Sequence, residues 1–296
     1  MTTAPTREPT PPREEREDEP FGGERHVYEP HRVGLPPLGR YTREVWRRRS
    51  FAFELSRTEL RAEQFDTVFG KLWLLLNPLL LAGIYLVLVE ILSKKPRGAT
   101  FLAHLVGAIF AYYFVSGSLT VAVRSVVSGG GLILNTAFPR VLLPLASVIT
   151  GFKRFVPTLL IYIPLHVIVG LPIGLQLLWL VPISLLMLLL AAGLSMLVAA
   201  LQVYFRDLKD FLPYILRLWL YASPVLYYAN EVPHGWEWLL KVNPIGMLLT
   251  SWSDVLDKGI APPPHVLAIG IAWSVVAFTV GSIFFVSRER EFAVRI

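Results

Sequence analysis

Six apolar runs dominate the hydrophobic pattern of the chain and predict an all-α membrane protein. Each run is close to the ~20 residues that a helix needs to cross the hydrocarbon core of a bilayer. Polar or charged stretches separate the runs, as expected for loops outside the membrane. The predicted transmembrane helices are Leu72–Leu92, Phe101–Val123, Phe155–Ile173, Leu177–Val203, Phe211–Ala229 and His265–Ser287.

The third run leaves two interpretations open. The stretch Val141–Thr150 is also apolar, and Lys153 and Arg154 separate it from the run that follows. One long helix, Leu142–Val169, would place this basic pair at depth in the membrane. Two helices, the first dipping in from the cytoplasmic side, would keep the pair near the surface.

Two further segments are predicted before the first span. Residues 1–40 are rich in Pro, Glu, Arg and Gly, which predicts a disordered cytoplasmic tail. Residues 41–71 predict an amphipathic helix that lies in the membrane interface and leads into the transmembrane domain, residues 72–296. A helix packed on a partner is the alternative. The apolar positions at helical spacing are Phe51, Leu55, Thr58, Ala62, Phe65 and Phe69.

The segment Asn230–Pro264, between the fifth and the last predicted spans, is too apolar for a free loop. It predicts short re-entrant helices that dip into the outer leaflet. Irregular backbone at that depth is tolerated only where protein or a water-filled cavity surrounds it. This segment therefore marks a candidate mouth for a pathway.

Composition and charge agree with a multi-pass protein of the cell membrane. Hydrophobic residues make up 54% of the chain, and the mean hydropathy is +0.53. Most loop Lys and Arg residues fall on the side of the N-terminus, although the Lys94–Arg97 cluster runs against this trend. The positive-inside rule then predicts that both termini are cytoplasmic.

The sequence gives no support for catalytic chemistry in this chain. It lacks the G-x-x-x-x-G-K-[ST] phosphate-binding loop, a G-x-S-x-G element and any cysteine. We therefore expect a protein that is not an enzyme and holds no metal, no cofactor and no nucleic acid. The histidines are scattered without metal-ligand spacing, at His26, His31, His104, His166, His234 and His265.

From about residue 45 to residue 296 the chain resembles a known family. The motifs are Leu72-Trp-Leu-Leu-Leu-Asn77-Pro78, Asn135-Thr-Ala-Phe-Pro139-Arg140, Tyr204-Phe-Arg-Asp-Leu, Ser223-Pro224-Val and Asn243-Pro244. They resemble those of the type-2 permeases of ATP-binding-cassette (ABC) exporters, and within these the exporters of O-antigen, teichoic acid or galactan chains. The resemblance implies a permease homodimer, a separate ATPase subunit that binds ATP and Mg²⁺, and a lipid-linked polysaccharide as substrate.

The resemblance also implies that the interface helix and Gly129–Pro139 contact the ATPase. The candidate coupling and gate residues are Gly130, Asn135, Pro139, Arg140, Arg206 and Asp207. Two alternatives remain: the glycines at 129–131 form only a flexible turn, and Arg206 and Asp207 only solvate a tight cytoplasmic turn. A partly buried pair would be needed for a gate, since exposed ion pairs contribute little.

Aromatic side chains are the candidates for a glycan path, because Tyr and Trp combine a flat apolar body with a polar tip. The candidates are Tyr112, Tyr113, Trp219, Tyr221, Tyr227 and Tyr228, with Arg217 as a charged member within the fifth span. For Tyr227 and Tyr228 the alternative is an interfacial aromatic belt. For Tyr112, Tyr113 and Trp219, which lie nearer mid-span, the alternative is lipid-facing packing. Arg217 either faces the channel and attracts a lipid pyrophosphate, or snorkels to the cytoplasmic headgroups.

These observations predict a permease that exports a lipid-linked polysaccharide. One rival is a type-2 exporter of a small lipophilic drug, whose ATPase would respond to small molecules. The other is a membrane enzyme or scaffold that works without any ATPase subunit.

Overall fold

The computed structural model describes residues 37–64, 72–92 and 97–296, and every regular element among them is helical. The predicted tail lies outside these residues except at its end, where the first helix begins at Leu38. The helices are α1 (Leu38–Arg47), α2 (Arg49–Gln64), α3 (Trp73–Leu92), α4 (Gly98–Ser128), α5 (Gly130–Asn135), α6 (Leu142–Val169), α7 (Leu180–Tyr204), α8 (Leu208–Tyr221), α9 (Trp238–Val242), α10 (Gly246–Asp257), α11 (Pro264–Arg288) and α12 (Phe292–Arg295).

Four helical segments of the described chain are long and apolar enough to cross a membrane. They are Gly98–Ser128, Leu142–Val169, Leu175–Tyr204 and Pro264–Arg295. Helix α4 lies at the centre and packs against α3, α6, α7, α8 and α10. Small buried residues such as Ala103, Gly107 and Ala111 let neighbouring helices approach it closely.

Helix α6 settles the ambiguity of the third run in favour of one long helix. It has 28 residues with Pro157 and Pro164 inside, and it ends where Gly170 adopts the left-handed conformation. It therefore begins earlier than the predicted span. Lys153 lies beside α2, because its Nζ donates to the carbonyl of Phe53 at 3.3 Å.

Helix α8 is shorter than the predicted fifth span. It ends at Tyr221 after 14 residues, about 21 Å at 1.5 Å per residue, whereas the hydrocarbon core is ~30 Å thick. The prediction of a helix continuing to Ala229 was therefore wrong. The short helices α9 and α10 do occur in the segment that follows; their re-entry into the membrane stays a prediction.

The predicted interface helix is divided into α1 and α2 at Arg48, and α2 packs on α6. Ala52 and Ser56 are buried in this contact, and Thr150 of α6 donates to the Glu59 carboxylate at 2.8 Å. Of the positions predicted to be apolar contacts, Phe51 and Leu55 are half-buried, whereas Thr58 and Ala62 are exposed. Phe65 and Phe69 lie outside the described residues.

Helices α7 and α11 cross at two glycines. A Cβ built on Gly281 would lie 2.0 Å from the backbone oxygen of Gly193, and a Cβ on Gly193 would lie 2.3 Å from the backbone of Ala277. No side chain fits in such a space. The absence of side chains therefore lets the two backbones touch, as in small-residue crossings of membrane helices.

The bundle has two ends, which α4 joins over about 46 Å. At one end α4 leads into α5, which contacts the C-terminal helix α12; we call this the terminal face. At the other, the opposite end, Arg97 forms an ion pair with Glu231 at 2.9 Å.

Candidate functional site

Glu289 is the centre of a polar cluster on the terminal face. Its carboxylate accepts hydrogen bonds from the Tyr41 hydroxyl, at 2.5 Å, and from the backbone N–H of Arg140. The Arg140 guanidinium donates in turn to the backbone carbonyl of Glu289. Helix α1, the segment before α6 and the turn after α11 therefore meet at one carboxylate. We call Tyr41, Arg140 and Glu289 the terminal cluster.

The Tyr41 hydroxyl and the Arg140 guanidinium both keep their protons in the terminal cluster. Removal from water raises the pKa of the Tyr41 hydroxyl far above its ordinary value, and the Glu289 carboxylate acts in the same direction. The hydroxyl therefore stays protonated and donates its hydrogen bond. Burial lowers the pKa of Arg140, while Glu289 opposes that change, and a guanidinium remains charged in either case.

An open cavity of about 600 Å³ lies beside the terminal cluster. Its walls come from α1, from residues 133–140 and from the end of α11. Arg48 reaches across from α1 and donates to the carbonyl of Ala137. Three of the predicted coupling residues, Asn135, Pro139 and Arg140, line this cavity, so the structure brings them together.

The glycines that precede this segment are closely packed. A Cβ on Gly129 would lie 2.9 Å from the carbonyl oxygen of Ser125, and one on Gly130 would lie 2.6 Å from a methyl carbon of Ile296. Gly131 has open space around it. Gly130, a predicted coupling residue, is thus a contact between α5 and the C-terminus, which fits a fixed corner better than a flexible turn.

The predicted gate residues Arg206 and Asp207 lie in the turn between α7 and α8. Both are exposed, and Arg206 donates to the backbone carbonyl of Arg295 at 3.0 Å. Asp207 precedes α8 without a capping hydrogen bond from its side chain. The turn thus shares the terminal face with the cavity, but neither residue lines it.

One of the predicted path aromatics, Tyr112, packs inside the protein. Tyr112 is 2% exposed, and its hydroxyl donates to the carbonyl of Leu216. Its ring lies edge-on to those of Tyr113 and Trp219, at 5.9 and 5.8 Å between centroids. Tyr113 and Trp219 are only partly buried, so they offer surface where Tyr112 supports them from behind.

Arg217 and Tyr221 project from α8 near these rings. Both are exposed, and Tyr221 lies edge-on to Tyr85 of α3 at 6.3 Å. Arg217 is within electrostatic range of Tyr85 and Tyr113, and Tyr113 lies halfway along α4. Tyr85 was missed by the sequence reasoning, since nothing in its own run distinguishes it from a core residue.

Tyr227 and Tyr228 are separate from that group and belong to the opposite end. The Tyr228 ring lies 4.3 Å from the ring of His104, whose Nδ1 is 2.7 Å from the Asp257 carboxylate. Tyr227 packs beside the apolar cluster of α9 and α10. The predicted path residues therefore form two groups rather than one lining.

Asn243 binds the groups at the end of α8. Its carbonyl oxygen accepts from the Trp219 indole at 2.7 Å, and its amide donates to the Ser223 hydroxyl at 2.9 Å and to the carbonyl of Ala222 at 3.1 Å. The side chain is buried. It thus satisfies backbone and side-chain groups released at the helix end. The Ser223-Pro224 and Asn243-Pro244 motifs identified in the sequence meet here.

The described residues contain no group of three His, Asp or Glu side chains that could hold a metal ion. The family model described as "ABC-2 type transporter" matches residues 54–256, more than half of the 296 residues. Proteins named "O-antigen export system permease protein RfbA" are similar to this chain over most of its length. One from Klebsiella pneumoniae is 27% identical over 207 residues, which is 70% of this chain and 80% of that protein. Another from Myxococcus xanthus is 29% identical over 262 residues, 86% of this chain and 98% of that protein.

Proposed function

Since the chain belongs to the ABC-2 type transporter family, we propose that it is the membrane permease subunit of an exporter that moves a lipid-linked polysaccharide out of the cytoplasm. The observation that carries the proposal is the similarity to O-antigen export permeases over most of the length of both chains. The motifs and the aromatic group around Trp219 support it.

In this proposal the chain crosses the membrane six times, has both termini in the cytoplasm and works as a homodimer. The two passes beyond the four long segments come from α3, which contains the shorter apolar segment Leu76–Ile91, and from α8 together with the residues that follow it, since α8 alone is too short to cross. Helix α10 re-enters the membrane from outside; its support is the contact of Trp252 with Phe155 of α6, at 5.9 Å between ring centroids. The cluster of basic residues on the terminal side supports the orientation.

A separate ATPase subunit binds ATP and Mg²⁺ and sits on the terminal face. The cavity beside the terminal cluster is a suitable receptor, because α1, the segment 133–140 and the end of α11 all line it. Glu289 joins these three parts through hydrogen bonds. A movement of the ATPase is therefore transmitted to α6 and α11 together. Tilting of these rigid helices then opens a path.

The glycan slides over the exposed faces of Tyr113, Trp219 and Tyr221. Flat aromatic surfaces receive the apolar faces of sugar rings, and their polar edges exchange hydrogen bonds with hydroxyl groups. No single tight site is needed for a polymer that has to move. Asn243 holds the Trp219 indole in place through its hydrogen bond.

Depletion of the chain in its native cell tests this function. We expect one lipid-linked glycan to accumulate on the cytoplasmic side, and restoration of the chain to clear it. Accumulation of no glycan, together with ATPase stimulation by small lipophilic compounds, would favour a drug exporter instead. Full activity without any ATPase subunit would favour a membrane enzyme or scaffold.

A further inference from the structure

A small basic pocket lies on the terminal face, apart from the cavity beside Glu289. Its volume is about 270 Å³, which is below the ~300–1,000 Å³ of sites that enclose drug-sized ligands. It has room for a headgroup but not for a length of polysaccharide. The residues that line this basic pocket are Arg124, Val127, Ser128, Gln202, Arg206 and Lys209.

The charge of the basic pocket is one-sided. Three cationic side chains line it and no carboxylate does. Arg124 and Lys209 form no ion pair within the part of the chain that the structure describes, and Arg206 donates only to the backbone carbonyl of Arg295. Asp207 and Asp210 belong to the same turn but do not line the pocket. Such a concentration of unneutralised positive charge favours a multivalent anion.

The turn that carries two of these cations is held in a fixed shape. Gln202 is 2% exposed. Its amide donates to the carbonyl of Arg206 at 2.7 Å, and its oxygen accepts from the backbone N–H of Lys209 at 2.8 Å. This buried amide binds both ends of the turn, which an ordinary solvated surface turn does not require. Gln202 thus positions Arg206 and Lys209 at the mouth of the pocket.

An exposed apolar face begins within one turn of Lys209. Phe211, Tyr214, Ile215 and Leu218 are 64%, 67%, 52% and 68% exposed, and their spacing puts them on one side of α8. We call them the α8 stripe. A cationic pocket at the head of an apolar stripe is complementary to an amphiphile with an anionic head and a hydrocarbon tail.

We propose that the basic pocket binds the phosphate or diphosphate head of the lipid on which the exported glycan is carried, with the lipid tail along the α8 stripe. This inference rests on the proposed function for the identity of the lipid. Arg124 and Lys209 bind the phosphate oxygens through charge-assisted hydrogen bonds, and Gln202 is a positioning residue. The pocket would thereby hold the reducing end of the substrate beside Trp219 and Tyr221, which lie further along α8.

Binding to the purified full-length chain in an uncharged detergent tests the proposal. The probes are farnesyl diphosphate, inorganic pyrophosphate, farnesol, and phosphatidylglycerol as a competitor. We expect farnesyl diphosphate to bind at least tenfold more tightly than pyrophosphate or farnesol. Equal binding of pyrophosphate would indicate a free-anion site, and equal competition by phosphatidylglycerol would indicate a general membrane-lipid contact; either result would overturn the proposal.

Three variants locate the site. We expect Arg124→Gln with Lys209→Gln to weaken farnesyl diphosphate binding by roughly tenfold or more. Gln202→Leu should weaken it with every cation still present, whereas Lys241→Gln, an exposed charge on α9, should leave it unchanged. Thermal unfolding in the same detergent identifies a variant that has merely failed to fold. Unchanged affinity in the folded double variant would refute the assignment.

Different outcomes would refute the export function and the lipid-phosphate site. If depletion of the chain causes a glycan to accumulate while the double variant binds the probe and exports normally, the pocket assignment is wrong and the export function stands. If the double variant loses co-purification of the ATPase subunit and keeps its probe affinity, the pocket receives protein rather than lipid. If the probe binds as expected but depletion accumulates no glycan, the export function is wrong.

Discussion

Replacement of Glu289 by Ala tests whether the terminal cluster couples the two subunits. The change removes the acceptor for the Tyr41 hydroxyl and for the backbone N–H of Arg140. A buried donor that loses its partner costs about 1–3 kcal/mol. Because Glu289 is only half-buried, water replaces part of each bond, so we expect a loss of about 2–4 kcal/mol in the free energy of unfolding.

The functional consequence should exceed the loss of stability. With α1 released and the segment before α6 held only by the Arg140 guanidinium on the backbone carbonyl of residue 289, the ATPase partner should continue to hydrolyse ATP while glycan export per ATP falls severalfold. The assay is ATP hydrolysis and lipid-linked glycan translocation in proteoliposomes that contain both subunits, at a temperature where thermal unfolding shows the variant to be folded. Tyr41→Phe removes one of the two donors and should have an intermediate effect.

A matched control lies two residues away. Glu291 belongs to the same short turn, but its carboxylate bonds to Tyr204 of α7 and to arginines of its own helical end. Glu291→Ala removes the same charge without touching α1 or the segment before α6, so export per ATP should stay near normal. If the two Ala variants export equally well per ATP, the cluster does not couple the subunits and the reasoning is refuted.

Three further changes test other parts of the fold. Gly281→Ala should prevent close packing of α7 and α11 and lower the thermal unfolding temperature, whereas Gly117→Ala, with open space around its Cβ, should not; equal effects would contradict the packing argument. Asn243→Leu leaves the Trp219 indole and the end of α8 without partners, which we expect to cost about 2–4 kcal/mol, as chemical denaturation would measure, while Asn135→Ala, at an exposed position of α5, should have little effect. Tyr221→Ala should slow glycan export with no change in the thermal unfolding temperature if the exposed ring lines the path; unchanged export would assign the ring to lipid.

The helices were predictable from the sequence, but their ends and neighbours were not. Apolar runs of about twenty residues identify spans because the bilayer imposes that length. The run that contains α8 looks equally long, yet the helix ends at Tyr221, shortly before Pro224, which cannot continue it. A buried amide at Asn243 binds the groups released there. That contact joins residues about twenty positions apart, and a hydrophobic pattern carries no trace of it.

The same limit applies to the candidate site. Motifs placed Asn135, Pro139 and Arg140 in one functional segment, and the structure puts all three around one cavity. Glu289 could not be found in this way, because its partners Tyr41 and Arg140 are 248 and 149 residues away in the sequence. Position within the apolar runs did place Tyr227 and Tyr228 nearer the interface than Trp219. It could not show that Tyr228 packs on His104, because that contact joins residues far apart in the sequence.

Helix α4 is the element through which the two ends of the bundle have to communicate. It is the most buried of the four long helical segments, because 78% of the residues in its 18-residue apolar stretch lie inside the protein. Its end packs against α6 and the C-terminus, since a Cβ on Gly129 would lie 3.1 Å from Leu143 and one on Gly130 would lie 2.6 Å from Ile296. Near its first turn, His104 is bound to Asp257 at the end of α10.

A helix held at both ends cannot tilt without carrying both contacts with it. We therefore expect a displacement imposed on α5 to shift Tyr112 at mid-helix, and with it the Trp219 ring, which lies 5.8 Å away between centroids. This displacement would reach α8 at Trp219. Lys209 of the basic pocket lies in the first turn of the same helix, and Arg206 lies in the turn that precedes it. We therefore expect the opening of the path and the release of the lipid phosphate to occur in a single movement, because both depend on the packing of α8 against α4.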